Sequence, residues 1–197
     1  MNAIKLLRAI TFGLLVCAVG VGLLRFRAAP EDDFWPLGTF DFVASTGGHV
    51  TDKDLSGKVC IFGCFFTCCT TQCPALTGSL AKLQSELKDL ADLRIVLLTV
   101  DPEHDTPEKL SAYAQTFGAD PKRWLFLTGE QATVEAFVTK QLKQGVEKNV
   151  GSEPGDRFLH SEKLILVDRA GRIRGFFNSI DPDELDKLRQ AVKRLHG

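Results

Sequence analysis

The chain has 197 residues, 44% hydrophobic and 25% charged, with a formal net charge of −1 and six cysteines. This composition excludes a disordered chain and is enough for one core of ordinary domain size. Six cysteines at this length are too few for a disulfide scaffold, so clustered ones point to redox or metal chemistry. Residues 1–30 hold Lys5, Arg8, Arg25 and Arg27 and no acid, leaving 20 basic against 25 acidic residues beyond them, a net −5 that argues against a nucleic-acid partner.

Ala9 to Leu24 (AITFGLLVCAVGVGLL) carries no charge. With Arg8 and Arg25 snorkelling it approaches the ~20 residues that a bilayer core requires. Residues 1–28 are read as a membrane anchor with its flanks, 29–38 as a linker and 39–197 as the functional domain. A cleaved signal peptide is the rival, but RFRAAPE after the apolar run offers no clean small-x-small site. A lipoprotein reading of Cys17 meets Val16 where a small residue is wanted. Basic residues on both flanks, with Glu31, Asp32 and Asp33 following the second pair, favour a cytoplasmic N-terminus. The expected setting is a bacterial inner membrane, crossed once, with the domain on the oxidising periplasmic or extracytoplasmic side.

Beyond the linker, Phe40 to Ala44 and the turn STGGHVT predict a hairpin. Val59 to Phe66 (VCIFGCFF) is an unbroken apolar run, the pattern of a central strand covered on both faces. Leu76, Leu80, Leu83, Leu87 and Leu90 then recur at helical spacing. Arg94 to Val100 predicts a second buried strand, and Asp105, Thr106, Pro107 and Glu108 open a helix with a capping side chain ahead of proline. Trp124 to Leu127 reads as a strand and Glu130 to Leu142 as a helix. Lys163 to Val167, the turn Asp168 to Gly171 and Arg172 to Phe177 make a hairpin, followed by a helix opened by Asp181 and Pro182. This order predicts an α/β fold, a thioredoxin-like sandwich preceded by an N-terminal transmembrane helix.

In such a sheet, reactive groups belong at the carboxyl end of the central strand. Cys69 and Cys73 stand there, in FTCCTTQCP. Pro74 fits a first helical turn, so the helix is expected to begin near Cys73 with Cys69 in the loop before it. The free amides of that helix start are expected to lower the thiol pKa values. CxxxC spacing leaves room for an ion between two sulfurs and still permits a disulfide. Two thiolates suit Cu(I), and an added imidazole makes the site acceptable to Cu(II).

His160, in RFLHSEKLILVD, is the candidate third ligand because it precedes a strand whose entry loop reaches the active-site end. His49 in a GGH turn, His104 in an acidic loop and His196 near a frayed end are weaker candidates. Cys60 and Cys64, evenly spaced in the buried strand, read as small core hydrophobes, and Cys17 as inert filler. Asp101 and Asp105 in VDPEHDTP fit capping and turn formation as well as they fit shaping the site loop or tuning copper release.

FTCCTTQCP, TVDPEHDTPEKLSAYA and FLHSEKLILVDRAGRIRG together resemble the Sco/SenC family of copper-binding, thioredoxin-like cytochrome c oxidase assembly proteins, over roughly residues 35–195. The resemblance implies a membrane-anchored copper metallochaperone with Cys69, Cys73 and His160 as ligands. Its acceptor would be the binuclear copper site of cytochrome c oxidase subunit II or a similar site. Two departures stand out. Thr70 and Thr71 replace the family's proline and acidic residue, and Cys68 forms a vicinal pair with Cys69.

Two other functions remain open. A thiol-disulfide oxidoreductase would cycle Cys69 and Cys73 on cysteines of the oxidase subunit or of another extracytoplasmic protein. A peroxiredoxin-type peroxidase would use Thr70 and Cys73, but Phe66 stands where its upstream proline belongs. Need for His160 separates copper binding from both.

Overall fold

The run Val59–Phe65 is apolar throughout except for Gly63, and such a segment is stable only with both faces covered. In the computed structural model it forms β3, buried along its whole length. The structure describes residues 34–70, 72–148, 158–160 and 162–196, without the side chains of Leu159 and His160. The predicted membrane span, with Cys17, lies outside the described residues. Among the described residues no helix is long and apolar enough to cross a membrane.

The strands are β1 (Asp41–Ala44), β2 (His49–Thr51), β3 (Val59–Phe65), β4 (Leu93–Thr99), β5 (Trp124–Thr128), β6 (Val146–Lys148), β7 (Phe158–His160), β8 (Lys163–Val167) and β9 (Ile173–Asn178). The helices are α1 (Gln72–Glu86), α2 (Pro107–Thr116), α3 (Gln131–Lys140) and α4 (Pro182–His196). Seven strands form one sheet in the order β2-β1-β5-β4-β3-β8-β9. Its middle strands β3, β4 and β5 are parallel, and β8 and β1 pair antiparallel on either side of them.

Alternation along β3 divides the core. On one face a Cβ at Gly63 would lie 2.9 Å from Leu97 and 3.3 Å from Leu164, so any larger residue would push those leucine side chains back from the strand. Phe65 on that face meets Tyr113 of α2, ring centroids 5.3 Å apart. On the other face Phe62 meets Phe40 at 6.2 Å, and Phe40 meets Phe137 of α3 at 5.3 Å. Cys60 and Cys64 share the Phe62 face as buried free thiols, and burial pushes both up to about 12. They act as core residues.

The predicted helix starts hold in detail. Thr106 caps α2, accepting from the Lys109 N–H with Pro107 in the first turn, and the Glu130 carboxylate caps α3 from the Ala132 and Thr133 N–H groups.

Three features differ from the sequence reading. Phe34–Gly38, assigned to a linker, docks on the domain: the Phe34 N–H donates to the Ile173 carbonyl, the Leu37 N–H to Gly171, and the Trp35 indole N–H to Gln141. Burying Leu37 and part of Trp35 repays the ordering of that stretch. Next, β6 and β7 form a separate two-stranded hairpin that short, polar VEK did not announce. Finally, His196 is not frayed. Its side chain is only 8% exposed, with Nε2 2.6 Å from Asp92 and Nδ1 2.8 Å from the Val192 carbonyl.

Candidate dithiol site

β3 and β4 end side by side, with the Val100 N–H donating to the Phe65 carbonyl at 2.9 Å. The chain leaves β3 at Phe66, turns at Thr67 and Cys68, and presents Cys69 just before α1, with Cys73 in the first turn of that helix. This is the arrangement that Pro74 predicts. The Cys69 N–H donates to the Phe66 carbonyl, and the Cys73 N–H donates to the Cys69 Sγ at 3.4 Å. The helix start therefore offers an amide to a sulfur. Thr77 Oγ1 donates to the Cys73 carbonyl at 2.7 Å and lies 3.0 Å from the Tyr113 hydroxyl, tying α1 to α2.

Cys69 is 8% exposed and Cys73 fully buried, and neither is in a disulfide. The expectation that the helix start lowers both pKa values fails for Cys73. Its hydrogen bond with the Cys69 side chain pushes the thiol well above the ordinary range, burial adds to this, and the charge of Asp105 acts in the same direction. The Phe66 backbone opposes the rise but is outweighed. One amide at a helix end cannot offset a neighbouring sulfur and removal from water. Without a metal, Cys73 is therefore a protonated thiol.

Asp105, fully buried, organises the turn. Its carboxylate accepts from the Thr67 N–H at 3.0 Å, from Thr67 Oγ1 at 2.5 Å and from Thr99 Oγ1 at 2.5 Å. It thus joins the end of β4 to the residue two before Cys69. Asp101, 1% exposed, lies 2.8 Å from His104 Nδ1. Asp101, Glu103 and His104 present ligand-type atoms within 4.8 Å of one another, while Glu103 also pairs with Lys148 of β6 at 3.2 Å.

His160 ends β7, its backbone opposite Val146 of β6, and its side chain lies outside the description. The hairpin sits beside the thiols. Phe158, two residues before His160, packs its ring edge-on against Phe66 at 5.9 Å, three residues before Cys69. Cys69 and Cys73 are thus brought together, and the backbone of His160 runs in a hairpin anchored to the same turn. Sequence reasoning singled out Asp105 within VDPEHDTP as a residue that fits shaping the site loop, but capping and turn formation explained it equally well.

A mixed sheet whose central parallel strand delivers a CxxxC pair to a helix start defines a thioredoxin-like dithiol protein. A model of the SCO1/SenC family matches residues 31–196, and the chain belongs to that family. It is 30% identical over 194 residues to the SCO1 protein homolog of Bacillus subtilis, covering 96% of each chain. Among solved structures it is similar to BsSco, a member of the Sco family of cytochrome c oxidase assembly proteins in which a disulfide switch was identified. That match has a TM-score of 0.72 and 31% identity, over 83% of this chain and 95% of the other. It is also similar to copper-bound ScoI of Bradyrhizobium japonicum, with a TM-score of 0.69 and 27% identity over 80% and 98%.

Proposed function

We propose that this protein is a membrane-anchored copper metallochaperone that takes up copper through Cys69, Cys73 and His160. It passes the ion to the binuclear copper site of cytochrome c oxidase subunit II or a similar acceptor. The observation that carries this reading is the meeting of two nearly water-free cysteine side chains at the sheet rim, with the Cys73 N–H on the Cys69 sulfur. Soft sulfur donors in a dry pocket favour Cu(I), and an imidazole as third donor would extend the site to Cu(II). Similarity to copper-bound ScoI, and to a family of oxidase assembly proteins, supports the metal and the pathway. The uncharged run 9–24 supports a single inner-membrane span with the domain outside the cytoplasm.

Because Cys73 is held as a thiol, copper uptake displaces protons and strengthens as pH rises. Anaerobic Cu(I) titration tests the reading. The reduced protein should take up a single ion, and the Cys69→Ser, Cys73→Ser double variant none. Equal copper content in the two rules the site out.

A second reading, thiol-disulfide exchange on the oxidase cysteines, is favoured by the mutually hydrogen-bonded Cys69 and Cys73 thiols and by the disulfide switch of BsSco. Oxidase activity lost on deletion and restored by added copper would favour the chaperone. Restoration by a chemical reductant alone would favour the reductase.

A further inference from the structure

Three thiols lie within six residues at this rim, and they are not equivalent. Cys73 is fully buried and Cys69 is 8% exposed, whereas Cys68 is partly exposed, flanking the core at the turn between β3 and α1. The Cys69 sulfur is engaged inward, accepting the Cys73 N–H and sharing a hydrogen bond with the Cys73 thiol. Cys68 forms no hydrogen bond to any described residue and is a free thiol. Its position is nonetheless fixed, because Asp105 grips both the N–H and the hydroxyl of Thr67 immediately before it, and the Cys69 N–H is bonded immediately after.

A soft ion moves between sulfur sites by associative exchange, in which the incoming sulfur bonds before the outgoing one leaves. A pair this deeply buried is therefore served by a more accessible donor beside it. Neighbouring residues in a chain have Cα atoms ~3.8 Å apart, so Cys68 and Cys69 can hold one ion in succession.

We infer that Cys68 is the transit ligand of the site, the sulfur through which Cu(I) bound to an external thiol enters and leaves the buried Cys69 and Cys73 pair. This rests on the copper reading above and deepens it. On loading, a Cys68–copper bond forms as one copper–sulfur bond of the donor breaks, and the Cys68 proton passes to the departing thiolate. The ion then moves to Cys69 and Cys73 as the Cys68–copper bond and the donor's remaining copper–sulfur bond break, and the two inner thiol protons pass to Cys68 and to the second departing donor thiolate. Copper stays Cu(I) throughout, and no electron is transferred. Cys68 thereby sets the rate of exchange and leaves the resting affinity to the inner pair.

Two measurements on the full-length, reduced, metal-free chain test this. In the first, iodoacetamide is added and fragment mass spectrometry locates the label. Cys68 should be carboxamidomethylated at least about tenfold faster than Cys69 or Cys73, since thiol reactivity follows exposure and thiolate character. Labelling of Cys69 or Cys73 at the rate of Cys68 overturns the inference, whether or not copper binds. In the second, Cu(I) is supplied as its glutathione complex to wild type, Cys68→Ser and Cys68→Ala. Both variants should load about tenfold more slowly with equilibrium affinity within about threefold of wild type, a difference under ~1 kcal/mol. Unchanged loading rates overturn the transit role. A parallel fall in affinity makes Cys68 a resident ligand and overturns it too. Failure of wild type to bind Cu(I) at all sinks the copper reading and this inference together, whereas normal wild-type binding with unchanged variant rates sinks only this one.

Discussion

Asp105 offers the sharpest test of how the thiol turn is held. Its fully buried carboxylate accepts three hydrogen bonds, two from Thr67 and one from Thr99. Asp105→Ala removes all three acceptor contacts. The two hydroxyls can rotate to other partners, but the Thr67 N–H is fixed by the backbone. Stranding a buried donor costs about 1–3 kcal/mol, and each hydrogen bond to a charged group contributes about 1.5–3 kcal/mol. A loss of about 3–5 kcal/mol follows, a large fraction of the ~5–15 kcal/mol that typically separates folded from unfolded domains. Asp105→Asn keeps an oxygen for the Thr67 N–H, and its amide can donate to a hydroxyl that then accepts, so the loss should be only about 1 kcal/mol. Urea unfolding followed through buried Trp124 measures both. The Asn variant also removes the charge that helps keep Cys73 protonated, so it should bind Cu(I) more tightly at neutral pH. An Ala variant as stable as wild type would refute the claim that this carboxylate holds the turn.

His160→Ala should weaken Cu(II) binding more than Cu(I) binding, because two thiolates alone can retain the softer ion. Competition titrations in the two oxidation states would expose equal losses, which would remove His160 from the ligand set. Burial raises Cys60 and Cys64 from the ordinary thiol value of 9.0 to about 12, so the fold keeps protons that the unfolded chain gives up. Their contribution to stability is whole below pH 9.0 and is lost as pH rises toward about 12, at up to about 1.4 kcal/mol per pH unit for each thiol. Cys64→Ala should make the alkaline decline shallower. A denaturation midpoint that stays level in wild type from about pH 8 to about 11 would contradict this.

Elements whose stability is local were legible before any coordinates. β3 announced itself because a continuous apolar run needs cover on both faces, α2 because Thr106 and Pro107 form a helix start, and the β8–β9 hairpin because its turn residues sit between two apolar runs. The order of these elements was enough to place Cys69 and Cys73 at one rim and to exclude Cys60 and Cys64, since strand alternation turns those two into the core. The β6–β7 hairpin was not legible. Its strands are three residues each and only weakly patterned, and what defines its position is a distant ring, Phe158 on Phe66.

Sequence by itself determined which atoms can do chemistry here, because CxxxC at a strand-to-helix junction is a statement about spacing along one chain. Tertiary structure decided what state those atoms rest in. The pull on Cys73 comes from Cys69 across the turn, from the surrounding core and from Asp105, which lies beyond the next strand and is brought into place by the pairing of β3 with β4. Electrostatic and burial effects depend on distance through space, and along the chain Asp105 stands too far from the thiols for spacing to reveal that it faces them.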